Sequence, residues 1–157
     1  MLNLFKKRSE NKNHDDQQKG IVGEYFENGF PVIVKFVSEL PAKGIVSKMK
    51  WFTVISWNYD GSQNNGMPPE AINQRMLLLE EALDKAFRNG KITHHAYNRT
   101  GNSLKEFNYY ISDRDKFMSR FNSALAKHER YPIEINFYED PDWSEMNRLI
   151  EDFKPKQ

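Results

Sequence analysis

The chain has 157 residues, with 23 Lys and Arg against 22 Asp and Glu, four His and no Cys. That length suits one domain, which on folding buries roughly 68–70% of its unfolded surface, and the balanced charge supplies no field of one sign to recommend nucleic acid or an anionic membrane as partner. Zero cysteines exclude a disulfide scaffold, a thiolate metal site and a Cys nucleophile, and fit a reducing, cytoplasmic setting.

The apolar start Met1–Phe5 is interrupted by Lys6, Lys7 and Arg8, before a secretory apolar region of about 7–15 residues could form. No stretch approaches the roughly 20 apolar residues of a spanning helix. Residues 1–20, containing KKRSENKNHDDQQK, predict a disordered polar tail, because they bury too little apolar area to offset the entropy of ordering. A single α+β domain is expected over 21–153, with a short tail at 154–157.

Within that domain FPVIVKFV, Phe30 to Val37, reads as a strand with Pro31 at its start, where a missing donor is tolerated. The Pro41 and Gly44 region reads as a loop. WFTVISW, Trp51 to Trp57, is apolar on both alternating faces and predicts a central strand. After a loop containing GSQNNG, Pro68 and Pro69 preorganise a helix whose Ile72, Met76, Leu79, Leu83 and Phe87 recur at helical spacing, up to a left-handed stop at Gly90.

Ile92 to Asn98 and Leu104 to Ile111 predict a hairpin joined through Arg99–Asn102. Asp113 caps a helix with Phe117, Phe121, Ala124 and Leu125 on its buried stripe, and Pro132 forbids its continuation. Ile133, Ile135 and Phe137 then alternate with Glu134, Asn136 and Tyr138 in a last strand, followed by a helix from about Trp143 to Phe153. From Trp51 onward the order is βαββαβ. The predicted fold is therefore a ferredoxin-like sandwich, with both helices on one sheet face, an extra N-terminal strand at a sheet edge and a C-terminal helix.

Taken together, WFTVISWNYDG at 51–61, GMPPEAINQRMLLLEEAL at 66–83, RTGNSLKEFNYYISD at 99–113 and YPIEINFYEDPDWSE at 131–145 resemble the bacterial family called Domain of Unknown Function 695. The resemblance runs over roughly Gly23 to Phe153. It also implies a distant similarity in layout to the regulator B protein inhibitor of ribonuclease E, and so an accessory or regulatory domain. No activity is carried over with it.

The residues themselves offer little chemistry. His94 and His95 are adjacent on a strand, so they point to opposite faces and cannot share one metal; His128 sits at a helix end and His14 in the tail. Glu139, Asp140, Asp142 and Glu145 have the oxygen donors of a hard-cation site, but Asp142 and Glu145 fit a capping box better. GSQNNG lacks the lysine of a phosphate loop. No metal or cofactor is expected.

If Phe107, Tyr109 and Ile111 face the helices, the opposite face presents Glu106, Asn108 and Tyr110 beside Glu134, Asn136 and Tyr138. Aromatic, Asn and Glu side chains on an open sheet face suit protein recognition, and these six are the predicted partner-binding residues. Two other readings use the same face. Glu106 and Glu134 would lie roughly 9–10 Å apart across one strand, near the upper limit for the carboxylate pair of an inverting glycosidase, which makes a hydrolase the first alternative. KEFNYYI at 105–111 loosely echoes the aromatic strand of an RNA-binding sheet, although Glu106 and Glu134 repel phosphate; weak single-stranded RNA binding is the second. The sequence thus predicts a non-enzymatic cytoplasmic domain that acts on an unknown protein partner by contact, as a regulator or inhibitor.

Overall fold

The structure, a computed structural model, describes residues 20–155; apart from Gly20 and the first two residues of the C-terminal tail, both predicted tails lie outside them. In chain order the elements are β1 (Gly20–Glu27), β2 (Phe30–Val37), α1 (Lys43–Lys48), β3 (Trp51–Asn58), α2 (Glu70–Ala86), β4 (Thr93–Gly101), β5 (Leu104–Ile111), α3 (Arg114–Ala124), β6 (Ile133–Glu139) and α4 (Ser144–Asp152). The six strands form one antiparallel sheet in the order β1, β2, β4, β5, β3, β6. Mixed α+β architecture stands as predicted. The strand order differs from a four-stranded ferredoxin-like sandwich with one added edge strand, because two N-terminal strands extend the sheet and β2 lies inside it.

The added hairpin has a local cause. Asn28 and Gly29 both hold positive φ, 51° and 80°, the backbone of a two-residue turn whose twist matches that of the flanking strands. β4 and β5 close in the same way at Asn102 and Ser103, with φ of 49° and 62°, so these strands run further than the predicted turn at 99–102 allowed. Gly101 (φ 149°) permits β2 to approach, since a Cβ there would lie 2.2 Å from the Pro31 carbonyl oxygen.

One sheet face carries α2 and α3. Met76, Leu79 and Leu83 of α2, with Phe87 just beyond it, meet Phe117 and Phe121 of α3 over Ile55, Trp57, Phe107, Tyr109 and Ile111. Phe87 and Phe117 stack with centroids 5.1 Å apart. Asp113 caps α3 as predicted, its Oδ1 accepting from the Lys116 N–H at 2.9 Å.

The opposite face, where the six partner-binding residues are expected and which the sequence leaves either open or covered, is covered over much of its area. Met146, Leu149, Ile150 and Phe153 recur at helical spacing along and just past α4, and with Trp143 they pack on Val34, Phe36, Phe52 and Tyr110. Phe153 lies over Gly23, where a Cβ would come within 2.3 Å of its ring. α1, read from sequence as loop, brings Val46 and Met49 to the same cluster.

Candidate functional site

Asp140 fixes α4 on the sheet. Its Oδ1 accepts from the Ser144 N–H (2.9 Å) and hydroxyl (2.6 Å), and its Oδ2 from the Tyr110 hydroxyl (2.7 Å) and the Glu145 N–H (3.1 Å). The Tyr110 oxygen in turn accepts from the Met146 N–H at 3.2 Å. Burial pushes the Asp140 carboxyl up, but the bonds from Ser144, Tyr110 and the Glu145 N–H outweigh it and hold the group below its ordinary value.

This corrects the predicted capping box. Asp142 is exposed, and Asp140 takes the capping work because Trp143 turns through a left-handed conformation, φ 55°, that swings the helix start back over Asp140. Trp143 is itself fully buried. Its indole stacks on Tyr110 at 4.0 Å and 5°, and its Nε1–H donates to the Met49 carbonyl at 2.8 Å.

Beyond that anchor α4 leaves a cleft of about 410 Å³ against the sheet, with Tyr25, Glu27, Tyr97, Arg99 and Glu106 on the strand side. On the helix side stand Glu145, Arg148 and Asp152, with Leu149 and Phe153 closing the apolar end. Register sets Arg99 directly opposite Glu106 and beside Val34. The Arg99 side chain donates from one terminal nitrogen to the Gly101 carbonyl at 3.1 Å, and the same nitrogen lies 3.7 Å from Glu27. Arg99 is only 6% exposed, and its buried Nε has no hydrogen-bond partner among the described residues.

Four carboxylates and two guanidinium groups line this cleft, a formal charge of −2. Burial raises the Glu106 pKa; Arg99 opposes the shift while Glu27 and Glu145 add to it. Burial also raises the hydroxyls of Tyr25 and Tyr97. An acid whose folded pKa is raised binds its proton more readily folded than unfolded, so ionised Glu106 opposes folding above its folded pKa, and that penalty fades as pH falls toward the ordinary glutamate range. Glu106→Gln should therefore melt no lower than the wild type at pH 7, with the difference closing under acid; a lower melting temperature at pH 7 would contradict this.

The six predicted partner-binding residues are separated by these contacts. Glu106 and Glu134 flank Ser56, Asn108 and Asn136 flank Val54, and Tyr110 and Tyr138 flank Phe52, so the rows have the expected neighbours. Asn108 and Tyr110, however, are 0% exposed, because α4 lies across this part of the sheet. Neither offers surface to a partner, contrary to expectation. The Asn108 amide has no hydrogen-bond partner among the described residues. Glu106 is half-buried in the cleft, while Glu134 and Tyr138 are exposed and Asn136 half-buried on the edge strand β6.

His94 and His95 do point to opposite faces, one ring against Trp143 and the other against Tyr109. Among the described residues no three His, Asp or Glu side chains gather in a way that could hold a metal ion. Sequence reading missed the cleft residues Tyr25, Glu27, Arg99 and Arg148, and took Glu145 only as a cap. The signal was available for one pair: a two-residue turn at 102–103 places 99 opposite 106, whereas the assumed turn at 99–102 removes Arg99 from the ladder.

A model of the family of unknown function DUF695 matches residues 26–147, more than half of the chain. The chain belongs to that family. No curated protein and no solved structure matches it. In this DUF695 domain the matched span holds Tyr97, Arg99 and Glu106 of the cleft floor together with the Asp140 and Trp143 anchor, and it ends within the first turns of α4. No helix among the described residues is long and apolar enough to cross a membrane.

Proposed function

We propose that this domain is a cytoplasmic recognition module that acts by contact with another polypeptide, as a regulator or inhibitor, and that its seat is the cleft beside α4. Arg99 carries this reading. A guanidinium 6% exposed with an unpartnered Nε keeps hydrogen-bonding capacity in reserve, and leaving such a group unsatisfied costs roughly 1–3 kcal/mol. Arg99 also lines the cleft, so a partner seated there would offer acceptors to the terminal nitrogens of a guanidinium whose own surroundings leave it short of them. The half-buried Glu106, whose ionised form burial disfavours, adds a second group that a partner would satisfy.

The hydrolase alternative draws less support, since Glu134 stands exposed across Ser56 and outside the cleft that Glu106 lines. For the fold, β6, β3, β5 and β4 are neighbours in that order. This supports reading β3 to β6 with α2 and α3 as a ferredoxin-like unit to which the β1–β2 hairpin and α4 are added.

Affinity capture by the tagged full chain, read by mass spectrometry, tests the seat. Arg148 is largely exposed at the cleft wall, so Arg148→Trp should keep the fold, obstruct the cleft and lose the proteins that the wild type enriches. Tyr138→Ala should retain them and melt within about 0.5 kcal/mol of wild-type stability, as is usual for a surface change. Loss with Tyr138→Ala and retention with Arg148→Trp would move the seat to β6.

A further inference from the structure

We propose that the cleft receives the side chain of a lysine or arginine from the partner polypeptide, its charge meeting Glu106 beside the Glu145–Arg148 pair while Arg99 takes a main-chain carbonyl of the same segment. This rests on the function proposed above and specifies its ligand.

Charge decides the sign. Arg99 and Arg148 are outnumbered by Glu27, Glu106, Glu145 and Asp152; Arg99 lies against Glu27 and Arg148 is ion-paired with Glu145, so Glu106 and Asp152 carry the excess. A phosphate or carboxylate would meet excess negative charge, whereas a cation relieves it. The walls agree with the sign. Tyr25 and Tyr97 border the same space, and aromatic faces attract ammonium and guanidinium groups. Leu149 and Phe153 supply apolar surface for the methylene stem of a long basic side chain.

Arg99 identifies the source of the cation. Arg99 lines the cleft as a donor group, and among these carboxylates a neutral carbonyl meets it with less repulsion than an anion. A peptide offers carbonyl and cation together; a free polyamine offers only the cation. The volume of about 410 Å³ falls within the roughly 300–1,000 Å³ of ordinary ligand sites. Lys6, Lys7 and Arg8 of this same chain are the competing occupant that a test must separate.

Fluorescence anisotropy on the full chain tests the proposal, using labelled alanine pentapeptides with a central lysine, arginine or glutamate. Binding of the lysine or arginine peptide and not the glutamate peptide is expected. Glu106→Gln should weaken it by about thirtyfold or more, as when one partner of a desolvated charge pair is removed. Glu145→Gln should weaken it in the same direction. Glu134→Gln should leave it unchanged, an excess of spermidine should not displace the peptide, and replacing Lys6, Lys7 and Arg8 together by Gln should leave affinity as it was. Binding of the glutamate peptide, full affinity in both Glu106→Gln and Glu145→Gln, or displacement by spermidine overturns the proposal. So does peptide binding that emerges only once Lys6, Lys7 and Arg8 are neutralised, since the chain's own tail is then the occupant. Failure of these peptides, with partner capture still lost in Arg148→Trp, would leave the cleft as the seat and reject only the cationic ligand.

Discussion

Trp143→Ala is expected to lower the free energy of unfolding by about 3–5 kcal/mol, the range for truncating a large aromatic in a well-packed core. The indole is fully buried, stacks on Tyr110 at 4.0 Å and donates to the Met49 carbonyl. Removing it leaves a cavity, exposes one face of the Tyr110 ring to that cavity and deprives a buried carbonyl of its donor. Alanine gains nothing at this position, because the left-handed φ of 55° is unfavourable for it as well. Trp143→Phe separates the terms: it keeps an aromatic face against Tyr110 but loses the hydrogen bond, an expected cost of about 1 kcal/mol beyond the change in volume. Urea unfolding with an unchanged slope is the measurement. If Trp143→Ala fell within about 0.5 kcal/mol of wild type, as exposed positions do, the packing of α4 on the sheet would be wrong.

The second large effect lies in the same anchor. Asp140→Asn should cost about 2–3 kcal/mol at pH 7, since a carboxylate that accepts from Tyr110, Ser144 and Glu145 forms charge-assisted bonds that a neutral amide reproduces poorly. Its sign with pH is fixed by the direction of the shift. Burial alone would raise this carboxyl, but the hydrogen bonds prevail and its folded pKa lies below the ordinary 3.8. The folded state then binds a proton less readily than the unfolded state. The stabilisation is complete above the ordinary carboxylate range and is lost as pH falls through the folded value. Unfolding free energies of wild type and Asp140→Asn should converge as pH falls below the ordinary carboxylate range and through the lowered folded value; a gap that widened on acidification would contradict the assignment.

Much of the fold was legible because single residues carry unambiguous local physics. Phe107, Tyr109 and Ile111 alternate along β5 and could face only the helices; Met76, Leu79 and Leu83 define one face of α2; Asp113 stands where a helix cap must. The β1–β2 hairpin was equally readable in Asn28–Gly29, whose residue types suit the positive φ they adopt. Strand β1 carries a weaker signal, because Glu24 stands between Val22 and Phe26 on one strand face and no apolar run marks the segment.

The site was legible only in part, for a reason that lies between levels of structure. Alternation correctly assigned Asn108 and Tyr110 to the face opposite α2, but the period of a strand says nothing about what covers that face. The cover is α4, whose stripe of Met146, Leu149, Ile150 and Phe153 finds its partners 36 to 130 residues away in sequence, on Tyr110, Phe36 and Gly23. The DPDWSE segment illustrates the same limit. Asp142 has the right spacing for a cap, yet the left-handed turn at Trp143 hands that role to Asp140. Arg99 and Glu106 became neighbours only through the register of a hairpin whose turn lies at Asn102–Ser103.

Titration of the ¹⁵N-labelled full chain with the lysine pentapeptide, followed by amide chemical shifts, tests the cleft as the binding seat most directly. Shifts concentrated at Tyr25, Tyr97, Arg99, Glu106 and Glu145 are predicted, with Glu134, Asn136 and Tyr138 unmoved. Shifts confined to those three β6 residues, with the Arg99 and Glu106 amides still, would contradict it.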